Sequence, residues 1–444
     1  MDGLHAGALA ELDRRMFLRA AGSAFAALAA SGCMARGNVG DLGAADAYGP
    51  LVRDPQGLLD LPQGFSYRVI SQLGDAMSDG GRVPDNGDGM GCFALPGGKI
   101  ALVRNHELMP GADSGGTIAK GYDRQDGGKV LPGGTTTIVL DAQTLAVERQ
   151  HRSLAGTIRN CAGGITPWGS WLTCEEFVAR AGGQLGQDHG YVFEVPAAHE
   201  GLVDPVPLKD MGRFNHEAAC VDPASGMVYL TEDRENGLLY RFTPNVRGRL
   251  AEGGRLQALS ISLRDTRNWG GVAPIGVGTW YDARWVDIAR PDSTQDDVRE
   301  QGAAAGASLF ARGEGIHMGD GEFYFACTSG GAAKLGQIFR VRPQAGGYDQ
   351  LQLFFESTSK DQFNFGDNLC VGPNGHLVVC EDQYTEVVDN HLRGITPDGR
   401  AYPLARLNLQ TEFAGSCFSP DGRTLFVNAY SPTMTFAITG PWIV

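Results

Sequence analysis

The chain has 444 residues, 64 of them glycine, and a formal charge of −14 from 51 acidic against 37 basic side chains. That length can bury a substantial core in one large domain or a few smaller ones, and the glycine load suits short strands and tight turns better than long helices. The acidic balance argues against nucleic acid as a partner and is compatible with bound cations.

In chain order the first feature is "DRRMFLRAAGSAFAALAASGC", where Arg14 and Arg15 precede Phe17, Leu18 and an apolar run of small residues. This is the pattern of a twin-arginine signal, read by the export machinery and not part of the fold. The apolar stretch from Met16 to Ala30 is too short for a membrane span. The expectation is a periplasmic or secreted protein that is exported already folded. Cleavage is expected near the alanine-rich end, although "ASGC" also resembles a lipoprotein site that would anchor the chain at Cys33. Residues 1–33 are assigned to the signal, 34–47 to a linker and 48–444 to a single domain, expected to be a monomer.

Six segments of one design follow: "GDGMGCFALPGGKIALVRNHE", "NCAGGITPWGSWLTCEE", "HEAACVDPASGMVYLTED", "GEGIHMGDGEFYFACTS", "DNLCVGPNGHLVVCED" and "AGSCFSPDGRTLFVNAY". Each reads polar lead-in, short apolar strand, glycine-containing turn, second apolar strand, polar exit. Six such hairpins predict an all-β, six-bladed β-propeller. "GYVFEVPA", "GLLYRFTP" and "GQIFRVRP" would add outer strands, and the insertion at 245–309 would form loops or extra elements. Most cysteines sit singly in apolar runs and read as small buried hydrophobes, with no C-x-x-C pair to suggest a zinc or redox site.

The two ends of a hairpin lie side by side, so the lead-in and the exit share a face. With the first strand of each blade innermost, six such faces would gather round one mouth of the channel. That places Asn160, Cys161, Glu175 and Glu176 with Glu217, Glu232 and Asp233, with Arg312 and Glu314, with Asp367, Asn368, Glu381 and Asp382, and with Asn105, His106 and Glu107. So many carboxylates repel one another unless cations neutralise them. Oxygen ligands suit calcium, whereas the thiol of Cys161 suits iron or another transition metal.

"RNCAGGITPWGSWLTCEE", "RFNHEAACVDPASGMVYLTED", "ARGEGIHM" and "CFSPDGRTLFVN", with the twin-arginine leader, resemble the PhoX family of exported bacterial alkaline phosphatases from about residue 48 onward. The resemblance implies a six-bladed propeller whose central cluster of iron (Fe3+) and calcium hydrolyses phosphate monoesters. Motif by motif, Cys161 resembles the iron-binding cysteine, and Glu217 and Glu314 resemble cluster glutamates. Asp233 resembles a calcium-site aspartate, and Arg312 the arginine beside the phosphate. Glu175 and Glu381 are expected ligands by position. Phe177 departs from the family pattern, which has asparagine there.

The inventory suits this chemistry, because monoester hydrolysis is extremely slow in water and needs both a nucleophile and stabilisation of negative charge. No G-x-S-x-G elbow and no Walker loop offers another route. Two readings of other classes stand beside it. A calcium-dependent propeller lactonase or esterase would need no thiol ligand, and a periplasmic binding propeller would turn over no ester.

Overall fold

The computed structural model describes residues 47–442, apart from 126, 271–272 and 383–387. Arg14, Arg15 and Cys33, and with them the export and anchoring expectations, lie outside the described residues. Among the described residues the only α-helix is Val298–Ala305, and the rest of the regular structure is β apart from two short 3-10 turns.

All six predicted repeats are antiparallel hairpins. In chain order they pair Gly87–Leu95 with Lys99–His106, Asn160–Ile165 with Ser170–Glu175, and His216–Val221 with Val228–Glu232. The remaining three pair Gly313–Met318 with Phe323–Cys327, Gly366–Val371 with Leu377–Glu381, and Phe413–Phe418 with Thr424–Ala429. They are called hairpins one to six below. Local chemistry closes their turns. In hairpin three the Asp222 carboxylate accepts the Ala224 and Ser225 N–H groups at 2.9 and 3.2 Å, and Gly226 takes φ 77°. An Asx turn that ends on a left-handed glycine is a stable way to reverse a chain. Outer strands follow where expected: Val192–Pro196, Leu239–Pro244 and Gln337–Arg342 pair with the second strands of hairpins two, three and four.

The first strand of each hairpin packs beside that of the next, and hairpin six returns to hairpin one. Backbones nearly touch round this ring. A Cβ on Gly89 would stand 2.5 Å from Ala162 Cα, and one on Gly415 would stand 2.2 Å from the Asp88 carbonyl oxygen. The arrangement is all-β and propeller-like.

Hydrogen bonding groups the strands into five sheets, where six separate blades were expected. The 245–309 insertion is the reason: its strand Trp280–Asp287 pairs with Gly254–Ser260 on one side and Asp349–Glu356 on the other. This sews the sheets of hairpins three and four into one of nine strands. At the chain ends, Ser66–Gln72 pairs with Met434–Thr439 and ties the start of the fold to its last sheet. Apolar side chains fill the spaces between sheets; Tyr229, Phe323, Phe325 and Phe339 are almost inaccessible, each contributing roughly 1.5–3 kcal/mol by burial. The described cysteines are all free thiols, and all but the half-buried Cys92 are fully buried.

Candidate metal centre

Each hairpin is closed at its mouth end by the same bond. The N–H of the residue after the second strand donates to the C=O of the residue before the pairing begins: Glu107 to Asn86, Glu176 to Arg159, Asp233 to Asn215, Thr328 to Arg312, Asp382 to Phe365 and Tyr430 to Glu412, at 2.9 to 3.3 Å. Just inside, every hairpin carries a bulge, with pairing shifted between Gly87 and Met90, Asn160 and Gly163, His216 and Ala219, Gly313 and Ile316, Gly366 and Leu369, and Ala414 and Cys417. A bulge leaves its extra residue unpaired and re-aims its side chain. The first bulged residues are Asp88, Cys161, Glu217, Glu314, Asp367 and Gly415. All but the glycine line a single cavity of about 420 Å³.

Round that cavity stand nine carboxylates, from Asp88, Glu107, Glu176, Glu217, Asp233, Glu314, Asp367, Asp382 and Glu412, against two guanidiniums, from Arg159 and Arg312. Burial, reinforced by the neighbouring acids, raises the proton affinity of six of the carboxyls. Asp367 is pushed up to about 7 and Glu176 to about 8, while Asp88, Glu217, Glu314 and Glu412 are held well above the usual carboxylate range. The Cys161 thiol is raised by burial first, then by Glu217 and Glu176.

Cations would reverse each of these shifts by favouring the charged forms. The donor set fits them. One ligand atom each from Cys161, Glu176 and Glu217 lies within 4.8 Å of the others, and so does one each from Glu217, Glu314 and Asp367. Oδ1 of Asp88 and Oδ1 of Asp382 are buried with no hydrogen-bond partner. A buried oxygen left unpaired is costly unless something outside the protein meets it.

The two arginines occupy equivalent places. Both open their hairpins, and both hold the left-handed conformation, φ 47° for Arg159 and 53° for Arg312. Arg312 forks onto Asp233 through Nε and Nη2 at 2.8 and 3.1 Å, and Nη2 also reaches Glu314 at 2.8 Å. Arg159 donates from Nε to Glu107 at 2.7 Å, and its Nη2 lies 2.6 Å from Glu176.

The model of the alkaline phosphatase PhoX family matches residues 46–148 and 141–433. The chain belongs to the alkaline phosphatase PhoX family. It is therefore a phosphatase, a hydrolase. Among solved structures it is similar to Pseudomonas fluorescens PhoX in complex with vanadate, a transition state analogue. The two share 18% identity over 90% of this chain and 98% of that one, with a TM-score of 0.69. A gluconolactonase from Xanthomonas campestris aligns with 14% identity over 89% of this chain and 98% of that one, at a TM-score of 0.40. No curated protein matches.

In this PhoX-family mouth the structure brings together Cys161, Glu217, Asp233, Arg312 and Glu314, and with them Glu107, Glu176, Asp367 and Asp382. It turns others away. Glu175 accepts the N–H groups of Ile158 and Gly190 at 3.0 and 2.9 Å and bonds His189 at 2.7 Å, outside the cavity. Glu381 accepts from the Asn364 and His391 N–H groups at 3.0 and 3.1 Å and from Arg393 at 2.7 Å. Glu232 does the same for Leu238 and Tyr240. Strand alternation is the reason, since consecutive residues face opposite ways and the residue after each of these takes the mouth. Asn160 bonds Thr157 and Thr173, Asn105 bonds the Cys161 and Ala162 carbonyls, His106 bonds Asp85 and Thr136, and Asn368 accepts the Gly415 N–H, so none of these four lines the cavity.

Asp88, Glu412, Arg159 and Tyr430 line the PhoX-family cavity without having been singled out from sequence. A signal for Asp88 was there to be read. Aligned on their bulges, the hairpins show a ligand-type residue followed by a small or short polar one: Asp88-Gly89, Cys161-Ala162, Glu217-Ala218, Glu314-Gly315 and Asp367-Asn368.

Proposed function

We propose that this chain is an exported, metal-dependent phosphatase that hydrolyses phosphate monoesters at a cluster of iron and calcium in the mouth of a six-bladed propeller. The count of six treats the nine-stranded sheet as two blades joined by Trp280–Asp287, because it carries two inner hairpins. One observation carries the reading: five equivalent bulges aim four carboxylates and one thiol into the same cavity.

With nine acids against two arginines, the mouth repels a phosphate dianion whenever those acids are ionised. A phosphatase built on it therefore requires cations. Cys161, Glu176 and Glu217 would hold iron through the thiolate, and Glu217, Glu314 and Asp367 would hold a second ion through oxygens alone. Asp88, Asp233 and Asp382 would complete calcium sites. When bound, the ions supply Lewis acidity and lower the pKa of water. Arg312 is held beside this set by Asp233 and Glu314, and its planar fork matches two phosphate oxygens. Its charge would stabilise the phosphoryl group as it transfers.

The test uses protein recovered from the periplasmic fraction, as the twin-arginine leader requires. It should contain iron and calcium, hydrolyse p-nitrophenyl phosphate, lose activity with EGTA and regain it with added calcium. Cys161→Ser should lower iron content and turnover together while circular dichroism stays unchanged. Full iron and full turnover in that variant would remove Cys161 from the site. Calcium without iron would favour the lactonase reading, and recovery only in the cytoplasm would sink the export assignment.

A further inference from the structure

A second cavity, of about 670 Å³, adjoins the metal centre and shares Asn86 and Ala112 with it as common wall. Its character is different. Where the mouth is lined by carboxylates, this shelf has Leu73 at its exposed lip, with Val83, Pro84 and Leu108 buried behind it and Arg82, whose guanidinium donates to the Gly74 C=O at 2.9 Å, beside it. The two acids on its border are already engaged. Asp85 accepts the Ser431 hydroxyl at 2.9 Å and the Thr433 N–H at 2.8 Å, and Asp113 accepts the Gly115 N–H at 2.9 Å. Its walls are two segments, 73–86 and 108–116, locked together by backbone. The Arg82 N–H donates to the Gly115 C=O at 2.7 Å, and a Cβ on Gly115 would stand 2.1 Å from the Arg82 carbonyl oxygen. The shelf is thus fixed before anything binds, of a size that suits a small organic group.

We propose that this shelf is the leaving-group subsite, selecting phosphate esters of apolar, ring-sized alcohols over esters of small ones. The inference rests on the phosphatase reading. An ester whose phosphoryl group sits in the acidic mouth must send its alcohol elsewhere, because an apolar ring beside nine carboxylates and their cations would desolvate them without replacing any hydrogen bond. Asn86, the opening residue of hairpin one, stands at the junction, so a group attached through the bridging oxygen can pass from mouth to shelf within one molecule. Burial of the ring against the exposed Leu73 side chain then favours the larger alcohol.

The test compares kcat/KM for benzyl phosphate with that for methyl phosphate in the metal-loaded enzyme. Their alcohols are of similar acidity, so size separates them. The wild-type enzyme should prefer the benzyl ester. Leu73→Trp, which fills the shelf, and Leu73→Glu, which puts charge on its exposed lip, should each lower that preference about tenfold, the scale at which apolar pockets discriminate. Benzyl alcohol should also compete with substrate in the wild-type enzyme, where methanol does not. No benzyl preference, an unchanged ratio in folded variants, or no competition by benzyl alcohol would overturn the subsite. Turnover of neither ester by the wild-type enzyme would overturn the phosphatase reading itself, and the subsite with it.

Discussion

Arg159 and Arg312 both accept a backbone conformation that costs a residue with a Cβ about 1 kcal/mol or more. At both places the left-handed turn brings the guanidinium to the cavity, yet the two meet different acids. Arg312 holds Asp233 and Glu314, whereas Arg159 holds Glu107 and Glu176, and Glu176 belongs to the thiol-containing ligand group. Lysine keeps the charge and loses the fork. Arg312→Lys is therefore expected to retain iron and calcium while kcat/KM on p-nitrophenyl phosphate falls by the roughly 2–4 kcal/mol that one preorganised donor is worth. Arg159→Lys is expected to act through Glu176, lowering metal content measured by elemental analysis. Metal loss in the first variant, or full metal in the second, would reverse these roles. Arg312 was singled out in the sequence because "ARGEG" puts arginine and glutamate two apart, as on one face of an extended strand, but it is the left-handed turn at Arg312 and the bulge at Glu314 that bring both to the cavity. In "CEE" and "CED" two adjacent acids face opposite ways, and only the register set by the bulge tells which enters the mouth.

The bulged hairpin is the element that repeats, and its glycines mark where neighbours press. A Cβ on Gly164, in the first strand of hairpin two, would stand 1.8 Å from the Ala219 carbonyl oxygen of hairpin three. Backbone cannot step aside as a flexible side chain can. Gly164→Ala should therefore cost about 3 kcal/mol or more, at the upper end of what overpacking does. Gly97, in the turn of hairpin one, has φ 77° and nothing within 4 Å of its would-be Cβ, so Gly97→Ala should cost only the left-handed strain of about 1–2 kcal/mol. Urea midpoints at equal m would measure both, and equal costs would show that the ring is not backbone-tight. The hairpins themselves were legible from apolar alternation and glycine turns. The pairing of Trp280–Asp287 with two partners was not, nor was that of Ser66–Gln72 with the last strand of the chain. The partners Asp349–Glu356 and Met434–Thr439 lie far along the chain from the strands they join, and no local pattern encodes such partners.

For the whole molecule, the ring of acids makes the empty mouth a source of instability that depends on pH. Buried carboxyls such as Glu176, raised to about 8, and Asp367, raised to about 7, hold protons in the folded state that the unfolded chain releases near its ordinary carboxylate values. The folded state then binds more protons between about pH 4 and pH 8, so metal-free stability is fullest at the acid end and falls as pH rises through that window. Each group that keeps its proton costs about 1.4 kcal/mol per pH unit once the solution would remove it. Bound cations take the place of those protons and cancel the slope. The chelator-treated protein should therefore melt at a lower temperature at pH 8 than at pH 5. Adding iron and calcium should raise the melting temperature far more at pH 8 than at pH 5, because ligand binding to the folded state alone stabilises it by mass action. A melting temperature for the metal-free protein that is flat or rising from pH 5 to pH 8, measured by calorimetry, would mean that the acids are not crowded enough to hold their protons. The charge argument for a metal cluster would then fall with it.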